Sequence, residues 1–176
     1  MALMVADSSA LILLAKCSLL EIVCDLFDVF IPAAVNLEVA SEKPVKNYPD
    51  AALISVLTSK GTIKVQCPGI ERPPIPISLH KGEVEALLLA IKLGGSLLAT
   101  DDGKAIKAAR FFNVPFIITP KIVVDLFRLQ KISLKKARES LERLGKIGRY
   151  SPEVIAAALI SLLEKEDGKA NYHKDT

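Results

Sequence analysis

The chain has no tryptophan, two histidines, three cysteines and no long uninterrupted apolar run, and each shortage removes a class of protein. Cys17, Cys24 and Cys67 show neither CxxC spacing nor an even number, so they announce neither a disulfide framework nor a structural zinc site. Cys17 and Cys24 stand in apolar surroundings and read as buried free thiols of a reducing compartment, which makes the cytoplasm the expected location. The longest apolar stretch, 8–20, is interrupted by Lys16 and Ser18 and falls short of the roughly 18 residues of a membrane span. Asp7 breaks the N-terminus before the apolar region of a signal peptide can develop. No GxGxxG or GxxxxGK[ST] phosphate loop occurs, which counts against a nucleotide-binding α/β domain. A receiver-type domain needs a phospho-accepting aspartate at the end of its third strand, and here residues 62–66 run into Cys67-Pro68. The two histidines, His80 and His173, fall in a loop and a tail. A histidine-based metal site is thereby excluded, and His80 reads as a surface residue rather than a general base.

What is present is apolar: 51% of 176 residues, enough for one domain with a full core, with or without a small appendage. The net charge of +3 is unevenly spread. From Met1 to Glu42 six acids face the single base Lys16, whereas from Arg128 to Arg149 eight bases face two acids. Such asymmetry can be the footprint of a nucleic acid, although for one helix alone a plain solvated face is the better account.

Residues 1–6 form a short apolar run that enters Asp-Ser-Ser, and 10–27 carry helical periodicity. A second strand over 29–31 is closed by Pro32, which also opens a helix to about Ser41. A helix over 50–59 stops at Gly61, and 62–66 alternate as a strand. The proline-dense run 68–78 is an extended loop. The clearest helix, 82–93, ends at Gly94-Gly95; a strand over 96–99, a helix over 103–112 and a strand over 114–118 follow. Thr119-Pro120 then starts a helix. Beyond it the pattern is purely helical, with Ser133 capping one helix to about Leu144 and Ser151-Pro152 starting another to Glu164. This predicts an α/β fold with a central, mainly parallel sheet between helices, plus C-terminal helices. The expected divisions are a domain over 1–131, a helical extension over 132–166 and a disordered tail over 167–176.

In an open parallel sheet, ligands bind beyond the carboxyl ends of the strands. Asp7 directly follows the first strand, and Asp101-Asp102 follow the strand 96–99. Taken singly, each reads better as a helix N-cap. Glu38 sits in an otherwise uncharged helical stretch, and Glu83 tops the apolar stripe Ala86, Leu87, Ala90 and Ile91, aimed at the end of the sheet. Glu85 lies on the flank of that stripe and is the weaker candidate. Converging acids need protons or a cation among them, and hard oxygen donors without imidazole or thiolate select Mg²⁺ or Mn²⁺ over zinc. Lys104, Lys107 and Arg110 follow Asp102 at three-residue spacing and can receive phosphates. Phe111 and Phe112 beside them read as core, so base stacking is not expected.

Four segments resemble the PIN-domain family, in the family's order. They are Val5-Ala6-Asp7-Ser8-Ser9, the stretch from Pro32 through Val35 to Glu38, Gly82-Glu83-Val84-Glu85-Ala86, and Leu97-Leu98-Ala99-Thr100-Asp101-Asp102. The nearest branch is that of prokaryotic PIN proteins with a Gly-Glu-x-Glu-Ala helix and a C-terminal helical extension, relatives of the VapC toxins. The third acid is Glu83 where such toxins usually carry aspartate, and the chain is longer than they are. The resemblance implies a PIN-like three-layer sandwich and a metal-dependent endoribonuclease acting on single-stranded RNA, in the setting of a toxin–antitoxin pair. It implies Asp7, Glu38, Glu83 and Asp102 as catalytic acids. Metal would lie on Asp7, Asp102 and Glu83, with Asp101 ligating through water or merely capping. Ser8, Thr100, Lys104 and Lys107 would contact substrate or support the acids. The expected partners are RNA, an antitoxin protein and a second copy of the chain. The competing reading is a non-catalytic PIN module that binds nucleic acid or protein.

Overall fold

The computed structural model describes residues 1–41, 48–71 and 74–164. The expected tail, 167–176, lies outside the described residues, as do the last two residues of the expected helical extension. Two compact units are present, Met1–Ile117 and Ile118–Thr176. Residue 131, the expected boundary, lies within the second of these units.

The first unit is built on five strands: β1 (Ala2–Ala6), β2 (Phe27–Ile31), β3 (Ile63–Val65), β4 (Leu97–Ala99) and β5 (Phe116–Ile117). They pair in the order β3-β2-β1-β4-β5, and every pairing is parallel. The sheet therefore grows from β1 first in one direction, to β2 and β3, and then in the other, to β4 and β5. Right-handed crossovers pack the helices of each half against the sheet. The first half carries α1 (Ser8–Lys16), α2 (Leu20–Leu26), α3 (Ala33–Ser41) and α4 (Pro49–Ser59); the second carries α5 (Lys81–Leu93) and α6 (Gly103–Phe111). The expected α/β sandwich is thus present, with a sheet that is wholly rather than mainly parallel.

One expected helix, 10–27, is two. Ser18 adopts a φ of 55°, the left-handed region that ends helices, and Leu19 starts the next one. The break lets α2 turn so that Leu20, Val23 and Cys24 are buried while Glu21 and Asp25 remain exposed.

The core on the α5–α6 side joins Val5 and Leu98 of the sheet to Ala86, Leu87, Leu89 and Ala90 of α5 and to Ala108 and Ala109 of α6. Small alanines where the two helices face the strands allow close approach. The described part of the proline-rich segment is extended, as expected. Ile75, Ile77 and Leu79 alternate along it and pack against the same core, which straps it across α5.

The second unit holds α7 (Thr119–Arg128), α8 (Leu134–Ile147) and α9 (Pro152–Ser161). Ser133 caps α8 by accepting from the Lys136 N–H at 3.2 Å. Ala137, Ser140, Leu141 and Leu144 form the buried face of α8, while Lys135, Arg138, Arg143 and Lys146 are exposed. The basic segment is therefore the outer face of an amphipathic helix. No helix among the described residues is long and apolar enough to cross a membrane.

Candidate active site

Because β1 sits between β2 and β4, the chain leaves the sheet on opposite sides at the ends of β1 and β4, opening the crevice where parallel sheets place their ligands. Asp7 stands at that point. Its N–H donates to the Ala99 carbonyl at 3.1 Å, which fixes the end of β1 against the end of β4. Its Oδ1 caps α1, accepting from the Ala10 N–H at 2.9 Å and from the Ser9 hydroxyl at 2.7 Å. Its Oδ2 accepts from the Thr100 hydroxyl at 2.5 Å. Asp7 is only 3% exposed. Burial pushes its pKa up to about 6, against the lowering effect of the bonds from Ala10, Thr100 and Ser9, and the nearby Asp101 adds to the rise.

Glu38 comes from α3. Its Oε2 accepts from the Ser8 hydroxyl and its Oε1 from the Gly82 N–H at 3.2 Å. A Cβ on residue 82 would stand 2.5–2.6 Å from the two carboxylate oxygens. Glycine at 82 therefore matters by proximity, leaving room for the Glu38 carboxylate, since its backbone angles are open to any residue. Glu83, in the first turn of α5, accepts from the His80 N–H at 2.9 Å. Glu85 turns elsewhere: its Oε2 accepts from the Ala34 N–H at 3.1 Å, at the start of α3, and Lys81 lies 3.9 Å from its other oxygen. An acid there answers the partial positive charge of the helix N-terminus.

A pocket of about 420 Å³ is lined by Asp7, Glu38 and Glu83 together with Ser8, Ser9, Ile12 and His80. Three of the four expected catalytic acids thus meet at one cavity. Asp102, the fourth, is not among its lining residues. The Asp102 Oδ1 caps α6, accepting from the N–H groups of Lys104 at 2.8 Å and Ala105 at 3.0 Å. Asp101 lies nearer in effect, because its charge is felt by Asp7 and its N–H reaches the Ser9 hydroxyl at 3.4 Å. Thr100 is fully buried and serves Asp7; Ser8 serves Glu38. Lys104 and Lys107 are exposed on α6.

The donors are hard carboxylate oxygens, which suit Mg²⁺ or Mn²⁺ in kind, and a cation beside Asp7 would restore its ionised form. Among the described residues, however, no three metal-ligating side chains stand together closely enough to enclose an ion. Each acid is turned instead toward its own hydrogen-bond donors.

Sequence reasoning did not single out Ser9, Gly82 or a pocket role for His80. Ser9 lay within the first motif, one residue beyond Ser8. Gly82 opened the third, and a glycine just before an acid in a helical first turn was the available signal. His80 is exposed, as expected, and also forms part of the pocket wall.

Among curated proteins, none matches the chain. A family model described as a PIN domain matches residues 3–165.

Proposed function

The chain belongs to the PIN-domain family, and from that premise we propose that it is a Mg²⁺- or Mn²⁺-dependent endoribonuclease of single-stranded RNA. PIN domains are usually nucleases, which supports hydrolysis of a phosphodiester in general. The observation that carries the reading is the pocket at the end of β1 that gathers Asp7, Glu38 and Glu83. Without a cation, such a set repels a phosphodiester; with one, it becomes a seat for it.

Asp7, Glu38 and Glu83 would hold the ion on turning from their present donors toward a common point, with Asp101 beside them. A bound Mg²⁺ or Mn²⁺ supplies positive charge for the phosphate and acidifies water for in-line attack. The chain's own groups do the positioning. Ser9 and Thr100 fix the two oxygens of Asp7, and Ser8 and Gly82 fix those of Glu38. These contacts keep the carboxylates in place while water and substrate exchange. Both lining serines donate to acids, so His80 is the lining side chain left to donate to an incoming phosphate. Lys104 and Lys107 would take phosphates further along the strand.

The biological setting we favour is the toxin of a toxin–antitoxin pair, acting in the cytoplasm as a homodimer. The likeness of the motifs to relatives of the VapC toxins suggests the first element, and the apolar exposure of α9 supports the last. A second reading, a PIN module that binds RNA or protein without cleaving, draws on one observation: the acids lining the pocket do not enclose a common point. Mn²⁺-dependent cleavage of several single-stranded RNAs, compared between the native chain and Asp7→Asn, decides between them. Cleavage abolished by Asp7→Asn is expected. RNA binding with cleavage no greater than that of Asp7→Asn would favour the binding module.

A further inference from the structure

Phe111 was expected in the core, and it is 61% exposed; among the described residues it is the only phenylalanine more than half exposed. The core position belongs to its neighbour Phe112, which packs against the α5–α6 cluster. An exposed phenylalanine on its own needs no explanation. Its company does. Lys104, Lys107 and Phe111 recur at i, i+3 and i+7 along α6 and share one face of the helix, all three exposed. The opposite face, Ala105 and Ala109, is buried. Arg110, next to Phe111, is also exposed, and its guanidinium rests over the Phe116 ring at 5.4 Å. The Phe111 ring meets Phe112 edge to face, at 5.0 Å between centroids and 83° between planes, so its orientation is set before anything binds.

We infer that this face of α6 is a track for a single strand of nucleic acid, with phosphates on Lys104 and Lys107 and an unstacked base on Phe111. Asp102 caps the helix directly after Asp101, whose N–H reaches the hydroxyl of the pocket-lining Ser9 at 3.4 Å, so the track leads away from the acid-lined pocket over about 10 Å of helix rise. Positive charge in line with an open aromatic ring is the combination that holds single strands. This rests on the ribonuclease reading and adds the grip on the strand to it.

The test measures affinity of the full chain in EDTA for a short labelled single-stranded RNA by fluorescence anisotropy, at several salt concentrations. Phe111→Leu keeps an apolar contact with Phe112 and should weaken binding about tenfold with an unchanged salt slope. Phe111→Trp should bind like the native chain. Lys104→Gln with Lys107→Gln should weaken binding and flatten the slope. Duplex RNA, whose bases stay stacked, should not distinguish Phe111→Leu from the native chain. Native affinity in Phe111→Leu, with the lysine variant weakened, would overturn the stacking platform and leave the ribonuclease reading standing; a protein occupant of this face gives the same result. Native affinity in all variants would overturn the track. Equal losses in Phe111→Leu and Phe111→Trp, accompanied by lower melting temperatures, would assign Phe111 a packing role and overturn it too. Absence of any RNA binding by the native chain would overturn both the track and the RNA substrate.

Discussion

The carboxylate of Glu38 lies against the backbone of Gly82, 44 residues away, with the Gly82 N–H donating to Oε1 at 3.2 Å. That contact joins α3 to the first turn of α5 and brings Glu38 to the wall that Glu83 also lines. In a helix, glycine to alanine ordinarily stabilises by up to about 1 kcal/mol. Here the new Cβ would displace the carboxylate. Because that group ends a flexible side chain, the displacement should be felt by the site more than by the fold. Gly82→Ala is expected to change the melting temperature little while lowering metal-dependent cleavage strongly. In a Glu38→Ala background the same substitution should become stabilising. A double-mutant cycle in urea checks this, and additive effects would show that the two residues are not coupled.

Asp7 titrates unusually, and the sign of its effect follows. Its folded pKa, about 6, lies above the ordinary 3.8, so the folded state binds the proton more tightly than the unfolded chain does. The stability this contributes is fully present below about pH 3.8 and lost as pH rises through 6. A shift of about two units corresponds to on the order of 3 kcal/mol. Metal-free Asp7→Asn should therefore be more stable than the native chain at pH 8, with the gap closing toward pH 4. The Asn amide nitrogen needs the Thr100 hydroxyl to turn and accept, which hydroxyl rotation allows. Added Mg²⁺ or Mn²⁺ should stabilise the native chain and leave Asp7→Asn almost unmoved. Urea denaturation across pH 4–8 is the measurement, and equal metal stabilisation of the two proteins would remove Asp7 from the metal site.

Asp102 separates two roles by the choice of substitution. As the N-cap of α6 it can be replaced by asparagine, which caps equally well, whereas alanine should cost about 1 kcal/mol. If capping is its whole task, Asp102→Asn should retain both the thermal shift produced by Mn²⁺ and RNA cleavage. Loss of both in a variant of native stability would show that the carboxylate charge acts at the site.

These residues also mark what the sequence could and could not convey. The positions of Asp7 and of Asp101-Asp102 were legible because each follows a short apolar strand, and a parallel sheet directs such positions to one crevice. Glu83 was legible from helical periodicity, which set it above the apolar stripe and Glu85 beside it. The Thr100–Asp7 and Gly82–Glu38 contacts span 93 and 44 residues, and no local pattern encodes which donor meets which acid. The break at Ser18 was hidden because a non-glycine residue adopts the left-handed turn. For Phe111 and Phe112 the difficulty was angular. Successive residues point about 100° apart on a helix, so only one of two adjacent phenylalanines could enter the core, and their identity could not say which.

α9 leaves apolar side chains open to solvent. Only Ala158 of this strongly apolar helix is buried, while Ile160 is 57% exposed and Leu163, just beyond it, 74%. Along the same stretch Leu162 is buried and Val154, Ile155 and Leu159 are half-buried. A two-fold contact would use Ile160 and Leu163 twice, giving roughly 4–8 kcal/mol of apolar burial from these four side chains after discounting for their present exposure. Association costs on the order of 4–15 kcal/mol, so these four alone would not suffice, and neighbours such as Ile155 and Ala157 must contribute. The dimer expected is therefore one of micromolar affinity that dissociates on dilution. Light scattering at tens of micromolar should give twice the 19.0 kDa of the chain. Ile160→Lys with Leu163→Lys should return the mass to 19.0 kDa without lowering the melting temperature measured at dilution. A native chain that scatters as 19.0 kDa at every concentration would leave α9 without a second copy as its partner.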